Sequence, residues 1–185
     1  MYDSGMENSV LTDDFWEAPD HMGLSGKVSI HGSKSVAQRV LLRASLSPGE
    51  SCLVGAPESG DVQVFCRALE DLGAKIEFLP TNELRVSGPG ESWHGKEIEL
   101  NLESNGTAMR FLTALCALRK GVTVLRGETH RPVGPLVEAL QKLGTTIEYL
   151  GETGYLPIKM EGGPMTGGKV VLQSALSSQF ASALL

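Results

Sequence analysis

Gly32-Ser33-Lys34-Ser35-Val36-Ala37-Gln38-Arg39 is the stretch from which the rest of this chain can be read. It follows a short run with strand character, Lys27–Ile30, and opens an apolar-periodic run from Val36 to Leu46 that predicts a helix. A glycine turn feeding a helix start leaves backbone N–H groups without intrahelical partners, an arrangement that suits an oxyanion. Lys34 and Arg39 add positive charge, and Ser33 and Ser35 add hydroxyl donors. Ser35 and Arg39 are four residues apart on that helix, so both can face one ligand. Two readings stand for the stretch alone: a pocket for phosphate or carboxylate, and a serine-capped helix with solvated charges.

Downstream, the pattern predicts a β-α-β-α-β-β unit. The helix at Lys34–Ser47 is stopped by Pro48-Gly49, and Ser51–Val54 reads as a strand. Asp61 is the expected N-cap of a second helix whose apolar face is Val62, Phe65, Leu69 and Leu72, with Gly73 as its C-terminal cap. Strands at Lys75–Leu79 and Glu83–Val86 complete the unit. A second unit follows with a strand at Glu97–Leu102, a helix from Asn105-Gly106 to about Arg119 and a strand at Val122–Leu125. Next come a helix opened by Arg131-Pro132-Val133-Gly134 and strands at Thr146–Leu150 and Leu156–Met160.

The repeat has a common period. Arg39 and Arg110 are 71 apart, as are Gly73 and Gly144, and Glu77 and Glu148. Adding the same period to Gly106 reaches Ser177, after a predicted strand at Lys169–Leu172, so a third unit is expected to begin there. Helix N-termini near 35, 106 and 177 are then expected around a pseudo-threefold axis, converging their partial positive charges. That company strengthens the anion-pocket reading, because a single cap needs no companions.

Charge is unevenly placed. The formal net charge of −6 is carried by residues 1–22, with six acidic side chains and no Lys or Arg, leaving 16 of each sign in the remainder. A neutral body can present local cationic sites, and nothing forms the basic stripe that grips nucleic acid. Cys52, Cys66 and Cys116 are far apart and odd in number, which reads as three reduced, buried thiols rather than a metal or disulfide framework. No run reaches the roughly 18 apolar residues of a membrane span. Without a targeting pattern at the N-terminus, the expectation is a soluble, cytoplasmic protein. The apolar, uncapped stretch Gln179–Leu185 leads to the expectation that the chain continues in a longer protein.

Four motifs in order carry a family resemblance: Gly32-Ser33-Lys34-Ser35 with Arg39, Asn105-Gly106-Thr107-Ala108-Met109-Arg110, Arg131-Pro132-Val133-Gly134, and Ser177-Ser178-Gln179-Phe180. Over residues 24–185 the chain resembles the 5-enolpyruvylshikimate-3-phosphate synthases. The related UDP-N-acetylglucosamine enolpyruvyl transferases share the fold but typically carry Ala-Lys-Asn where this chain has Ser33-Lys34-Ser35. The resemblance implies an α/β fold of repeated β-α-β-α-β-β units, helices inside and sheets outside, incomplete in this chain. Residues 1–22, acidic and without sustained periodicity, read as a disordered leader, and the resemblance implies a first strand region at 23–33 belonging to or bridging toward a second domain. Residues 34–185 would form a substrate-binding domain of two full units and the start of a third.

The family transfers the enolpyruvyl group of phosphoenolpyruvate to the 5-hydroxyl of shikimate 3-phosphate, a step of aromatic amino-acid biosynthesis, without metal or organic cofactor. The full-length protein would be a monomer whose partners are these two small molecules, with no nucleic acid and no membrane. By motif, Lys34, Ser35, Arg39, Ser177, Ser178 and Gln179 resemble shikimate-3-phosphate ligands. Lys34, Gly106, Arg131 and Gln179 resemble phosphoenolpyruvate ligands, while Thr107 and Arg110 read as shaping the loop and helix around Gly106. The acidic catalytic residues of the family have no counterpart here, so no catalytic residue is expected within the chain and the chain alone is expected to be inactive. His31, Ser104 and Phe111 depart from the family's usual proline, asparagine and proline. A non-catalytic anion-binding fragment, or a split half awaiting a second chain, is one alternative, and a UDP-N-acetylglucosamine enolpyruvyl transferase is the other.

Overall fold

Side-chain caps decide where the helices start. The computed structural model describes residues 26–81, 83–93, 95–128, 130–172 and 177–185, so the acidic leader and its Phe15-Trp16 pair lie outside the described residues. Ser33 precedes α1 (Lys34–Leu46), and its Oγ accepts from the Val36 N–H at 3.4 Å. Ser59 does the same for α2 (Gly60–Asp71), accepting from Val62 at 3.4 Å. This corrects the expectation for Asp61: the extended backbone of a cap is at Ser59 (φ −113°, ψ 150°), and Asp61 already lies in the first turn. Asn105 caps α3 (Gly106–Leu118) twice, its Oδ1 accepting from Thr107 and Ala108 at 3.2 and 2.9 Å. No side chain caps α4 (Gly134–Lys142); instead the Val133 and Gly134 N–H groups donate to the Gly154 carbonyl at 2.7 and 3.1 Å.

The ends of α2 and α4 match. Gly73 and Gly144 adopt φ of +100° and +107°, values that favour glycine. Gly73 donates to Glu70 and Ala74 to Leu69; Gly144 donates to Gln141 and Thr145 to Leu140. Both ends are Schellman motifs, 71 residues apart.

Strands β1 (Glu50–Val54), β2 (Lys75–Leu79) and β3 (Glu83–Ser87) form an antiparallel sheet in the order β1-β3-β2. The second sheet has the order β4-β5-β7-β6, from β4 (Ile98–Asn101), β5 (Gly121–Arg126), β6 (Thr146–Tyr149) and β7 (Ile158–Gly162). Its β5-β7-β6 part copies the first sheet, and β4 adds a parallel strand on β5. A last helix, α5 (Gln179–Leu184), follows.

Three predicted strands differ. Neither Lys27–Ile30 nor Lys169–Leu172 is a strand, because an extended run becomes one only with a ladder partner, and neither sheet includes them. The run expected from Leu156 begins instead at Ile158, since Pro157 has no N–H to give to a ladder. The chain divides into two contact-defined units, Met1–Ile30 and His31–Leu185, and all the elements above lie in the second.

The repeat register also shifts. Ser33 and Asn105 are 72 apart, and each precedes a 13-residue helix. Counting from these caps, Arg110 stands where α1 has Gln38, and Phe111 where α1 has Arg39. The match of Arg39 with Arg110 is therefore one residue out, and the period of 71 holds at the ends of α2 and α4 and the starts of β2 and β6. In both repeats the loop before the first helix lies against the loop after the strand that follows it. A Cβ on Gly32 would lie 2.3 Å from the Gly55 carbonyl oxygen, and one on Gly127 would lie 2.6 Å from that of Glu103.

Helix α3 is the centre of the core. Every residue from Gly106 to Ala117 is buried, and the helix packs against α1, α2, α4 and α5. Leu41, Phe65, Leu69, Leu136 and Phe180 are completely buried around it. Cys66 and Cys116 are buried as expected, but Cys52, on β1, is exposed. Burial pushes both buried thiols up to about 12 from 9.0. They stay protonated in the folded chain while an unfolded chain ionises them near 9, so stability falls as pH rises from about 9 towards 12. A thiol reagent at about pH 8 is therefore expected to modify Cys52 alone until denaturant is added, as read by mass spectrometry.

Gly162 touches the C-terminal end of α3 so closely that a Cβ would lie 2.2 Å from the Cys116 carbonyl oxygen and 2.4 Å from that of Arg119. A Cβ on neighbouring Gly163 meets nothing within 4 Å. Backbone oxygens cannot swing aside. Gly162→Ala is expected to cost at least about 2 kcal/mol in urea unfolding, and Gly163→Ala to stay within about 0.5 kcal/mol of the parent.

Candidate functional site

The capping residues that start the helices also join them. Asp61, in the first turn of α2, accepts at its backbone carbonyl from Gln38 Nε2 of α1 at 3.1 Å and from Asn105 Nδ2 at 2.7 Å. Its carboxylate is the ion-pair partner of Lys34, the first residue of α1. Gln38 and Asn105 are buried, so these amides must bond within the protein, and together they clamp the starts of α1, α2 and α3.

A second cluster adjoins the first through Asn105. Next to it, Gly106 lies beneath Arg131: a Cβ on that glycine would lie 2.6 Å from Arg131 Cδ and 3.0 Å from its Nη1. Glycine lets the arginine lie flat against the start of α3. One turn on, Arg110 donates from Nη1 to the Gln179 side-chain oxygen at 2.7 Å, and Gln179 Nε2 donates to Thr107 Oγ1 at 3.3 Å. Phe180 places its ring 4.9 Å from the Arg110 guanidinium. Burial, and then the charge of Arg131, lower the Arg110 pKa from its ordinary value.

The remaining predicted residues border this network. Arg39 donates to the Ser35 carbonyl at 2.9 Å, and its guanidinium lies 4.9 Å from the Phe111 ring centre. Ser177 Oγ accepts from the Gln179 N–H at 3.2 Å, and Ser178 precedes α5 with its carbonyl accepting from Ser182. Lys34, Asp61, Asn105, Gly106, Arg131, Arg110, Thr107 and Gln179 thus form one continuous set of contacts from α1 to α5. The helix starts that it joins are rich in backbone donors and basic side chains, an arrangement suited to anions. A separate groove of about 500 Å³ between α1 and β1 is lined mainly by apolar atoms, from Val36, Val40, Val54 and their neighbours. Gly32 and Ser33 line it, but Lys34, Arg131 and Gln179 do not, so it lies apart from the network that these three join. Among the described residues no group of three or more His, Cys, Asp or Glu is placed to hold a metal ion, and no helix is long and apolar enough to cross a membrane.

The family model of EPSP synthase (3-phosphoshikimate 1-carboxyvinyltransferase) matches residues 20–185. The chain belongs to the EPSP synthase family. It is 41% identical over 167 residues to the 3-phosphoshikimate 1-carboxyvinyltransferase of Sulfurovum sp. (strain NBC37-1), covering 88% of this chain and 39% of that protein. The Rhizobium etli enzyme is 40% identical over 171 residues, covering 90% and 40%. An EPSP synthase structure from Acinetobacter baumannii superposes with a TM-score of 0.76 at 28% identity, over 86% of this chain and 37% of that one. The chain therefore spans about two fifths of the length of these EPSP synthases.

Two members of the network were not legible as site residues. Asp61 looks like any acid complementing a helix N-terminus, and only the fold brings it to Lys34 and Asn105. Asn105 carries a readable signal as a cap, but its bond across to α2 does not. Removing both roles makes Asn105→Ala the costlier cap deletion. It is expected to lose about 2–3 kcal/mol in chemical unfolding, against about 1 kcal/mol or less for Ser33→Ala, whose single bond is exposed.

Proposed function

We propose that this chain forms one wall of the cleft in which an EPSP synthase joins phosphoenolpyruvate to the 5-hydroxyl of shikimate 3-phosphate. The observation that carries the reading is the continuous network from Lys34 through Asn105 and Gly106 to Arg131 and Gln179. Residues that the four motifs separate widely in sequence share one end of the helix cluster. Family membership over residues 20–185 supports the same assignment.

In this reading Ser35, Arg39, Ser177 and Ser178 hold shikimate 3-phosphate, and Gly106 and Arg131 hold phosphoenolpyruvate. Lys34 and Gln179 lie between the two. Both substrates are phosphorylated carboxylates, so binding requires several positive charges and N–H donors at fixed positions. Lys34 begins in an ion pair with Asp61, so an incoming anion competes with that carboxylate. Addition of the hydroxyl to C2 of phosphoenolpyruvate needs a base for the hydroxyl proton and an acid for the methylene carbon. Loss of phosphate from the tetrahedral adduct, together with a proton from the methyl group that the addition formed, then regenerates the vinyl group, so a base is needed at that carbon as well. This chain supplies positioning and charge neutralisation, and the proton-transfer groups come from the remaining part of the cleft. The same reading takes residues 98–162 as a β-α-β-α-β-β unit of the family's domain and residues 34–87 as the α-β-α-β-β part of another, and places the protein in the cytoplasm.

Titration calorimetry with phosphoenolpyruvate and shikimate 3-phosphate tests the assignment. Lys34→Ala is expected to weaken both ligands by about tenfold or more, and Arg131→Ala to weaken phosphoenolpyruvate selectively. Gly106→Ala displaces a flexible arginine rather than backbone, so it should weaken phosphoenolpyruvate binding while leaving the melting temperature nearly unchanged. Unaltered affinities in all three variants would refute the reading. No phosphate release is expected from this chain by itself.

A further inference from the structure

Arg110 is 6% exposed and carries a charge that needs compensation. No carboxylate is paired with it among the described ion pairs, and its Nε has no hydrogen-bond partner. What surrounds it is the Gly106 carbonyl at 3.5 Å, the Gln179 amide oxygen at 2.7 Å and the face of Phe180. Arg131 stands close enough to repel it. A buried cation held by an amide, a carbonyl and a ring is a poor way to gain stability, because an apolar side chain would fill the same space without desolvation. At the equivalent place in α1 the chain has the neutral Gln38. The charge at 110 therefore calls for a role beyond packing.

The role lies in the Gln179 amide. Its two ends are nearly equal in size and opposite in hydrogen-bonding sense, so an unconstrained glutamine can present either. A guanidinium can only donate; it holds the amide oxygen and thereby turns the NH2 end towards Thr107. One of the two N–H groups goes to Thr107 Oγ1, and the amide retains the capacity to donate the other. An anion requires the donor end, because the carbonyl end would repel it. We propose that Arg110 is a positioning residue for substrate binding: by holding the Gln179 carbonyl it commits that amide to present its N–H end to the bound anion. The inference rests on the reading of Gln179 as a ligand residue, and deepens it by naming what orients the side chain. It also accounts for a tie between α3 and the start of α5, two elements 69 residues apart at these positions.

A double-mutant cycle on the full 185-residue chain tests this, with phosphoenolpyruvate and inorganic phosphate as calorimetric probes in the presence of shikimate 3-phosphate. Arg110→Met is expected to weaken phosphoenolpyruvate by about tenfold. Arg110→Lys, which still donates to the amide oxygen and is the safer variant for folding, should stay within about threefold. In a Gln179→Leu background, Arg110→Met should cause little further loss, because there is no amide left to orient. An equal loss in both backgrounds would mean that Arg110 acts through charge or packing alone, and would overturn the proposal.

The ¹⁵N side-chain amide signals of Gln179, recorded without ligand, separate this from the site assignment itself. A single ordered NH2 pair in the parent and in Arg110→Lys, lost in Arg110→Met at unchanged backbone shifts, supports positioning even if neither probe binds. Failure of binding then counts against the site reading alone. The same ordered pair in Arg110→Met would overturn the positioning role whatever the affinities.

Discussion

The backbone carbonyl of Asp61 is the constraint on which the rest of this site depends. Amides from Gln38 and Asn105 both reach it, and both are buried where water cannot replace a lost partner. Each such bond contributes about 1 kcal/mol net, but leaving one of these amides unpaired would cost about 1–3 kcal/mol. The arrangement therefore holds three helix starts in one registration and makes a drift between them expensive. Asn105 fills three positions at once, with its oxygen capping α3 and its nitrogen bridging to α2. The carboxylate of the same Asp61 holds Lys34, so the clamp on the helix starts and the ion pair of α1 meet at one residue.

Charge in the second cluster is arranged differently. Arg131 is exposed and lies against a glycine at the start of α3. Arg110 is buried and faces inward to an amide and a ring. Arg39, at the corresponding point of α1 to Phe111, lies over that ring at 4.9 Å. Two cation–π contacts with the same ring-to-guanidinium distance thus tie arginines of α1 and α3 to aromatic residues of α3 and α5. The family's usual proline after the Met-Arg pair could not offer Arg39 such a ring. Phe111 is therefore a departure with a structural consequence at a predicted ligand residue.

Much of the fold was legible because its signals are local. The Pro48-Gly49 stop, the Schellman ends at Gly73 and Gly144, and the alternation of β3 follow from backbone preferences and short-range patterns. The four motifs were legible for the same reason, since each is a loop feeding a helix. What failed were features that depend on a partner. Lys27–Ile30 and Lys169–Leu172 have strand-like composition, but no strand exists without a ladder neighbour. The choice between Ser59 and Asp61 as a cap is a difference of two residues that only backbone dihedral angles resolve.

The sequence by itself determined the class of elements, their order, the internal repeat and the residues suited to anions. These depend on periodicity, chirality and the chemistry of single side chains. Tertiary structure alone decided the pairing. It set the helix starts 72 apart rather than 71, which moved Arg110 from the place of Arg39 to the place of Gln38. On a helix, one residue is a turn of about 100°, enough to take a side chain from the half-exposed face to the interior. That rotation is why two arginines that look equivalent in sequence do different things, one stacked over Phe111 and the other buried against Gln179.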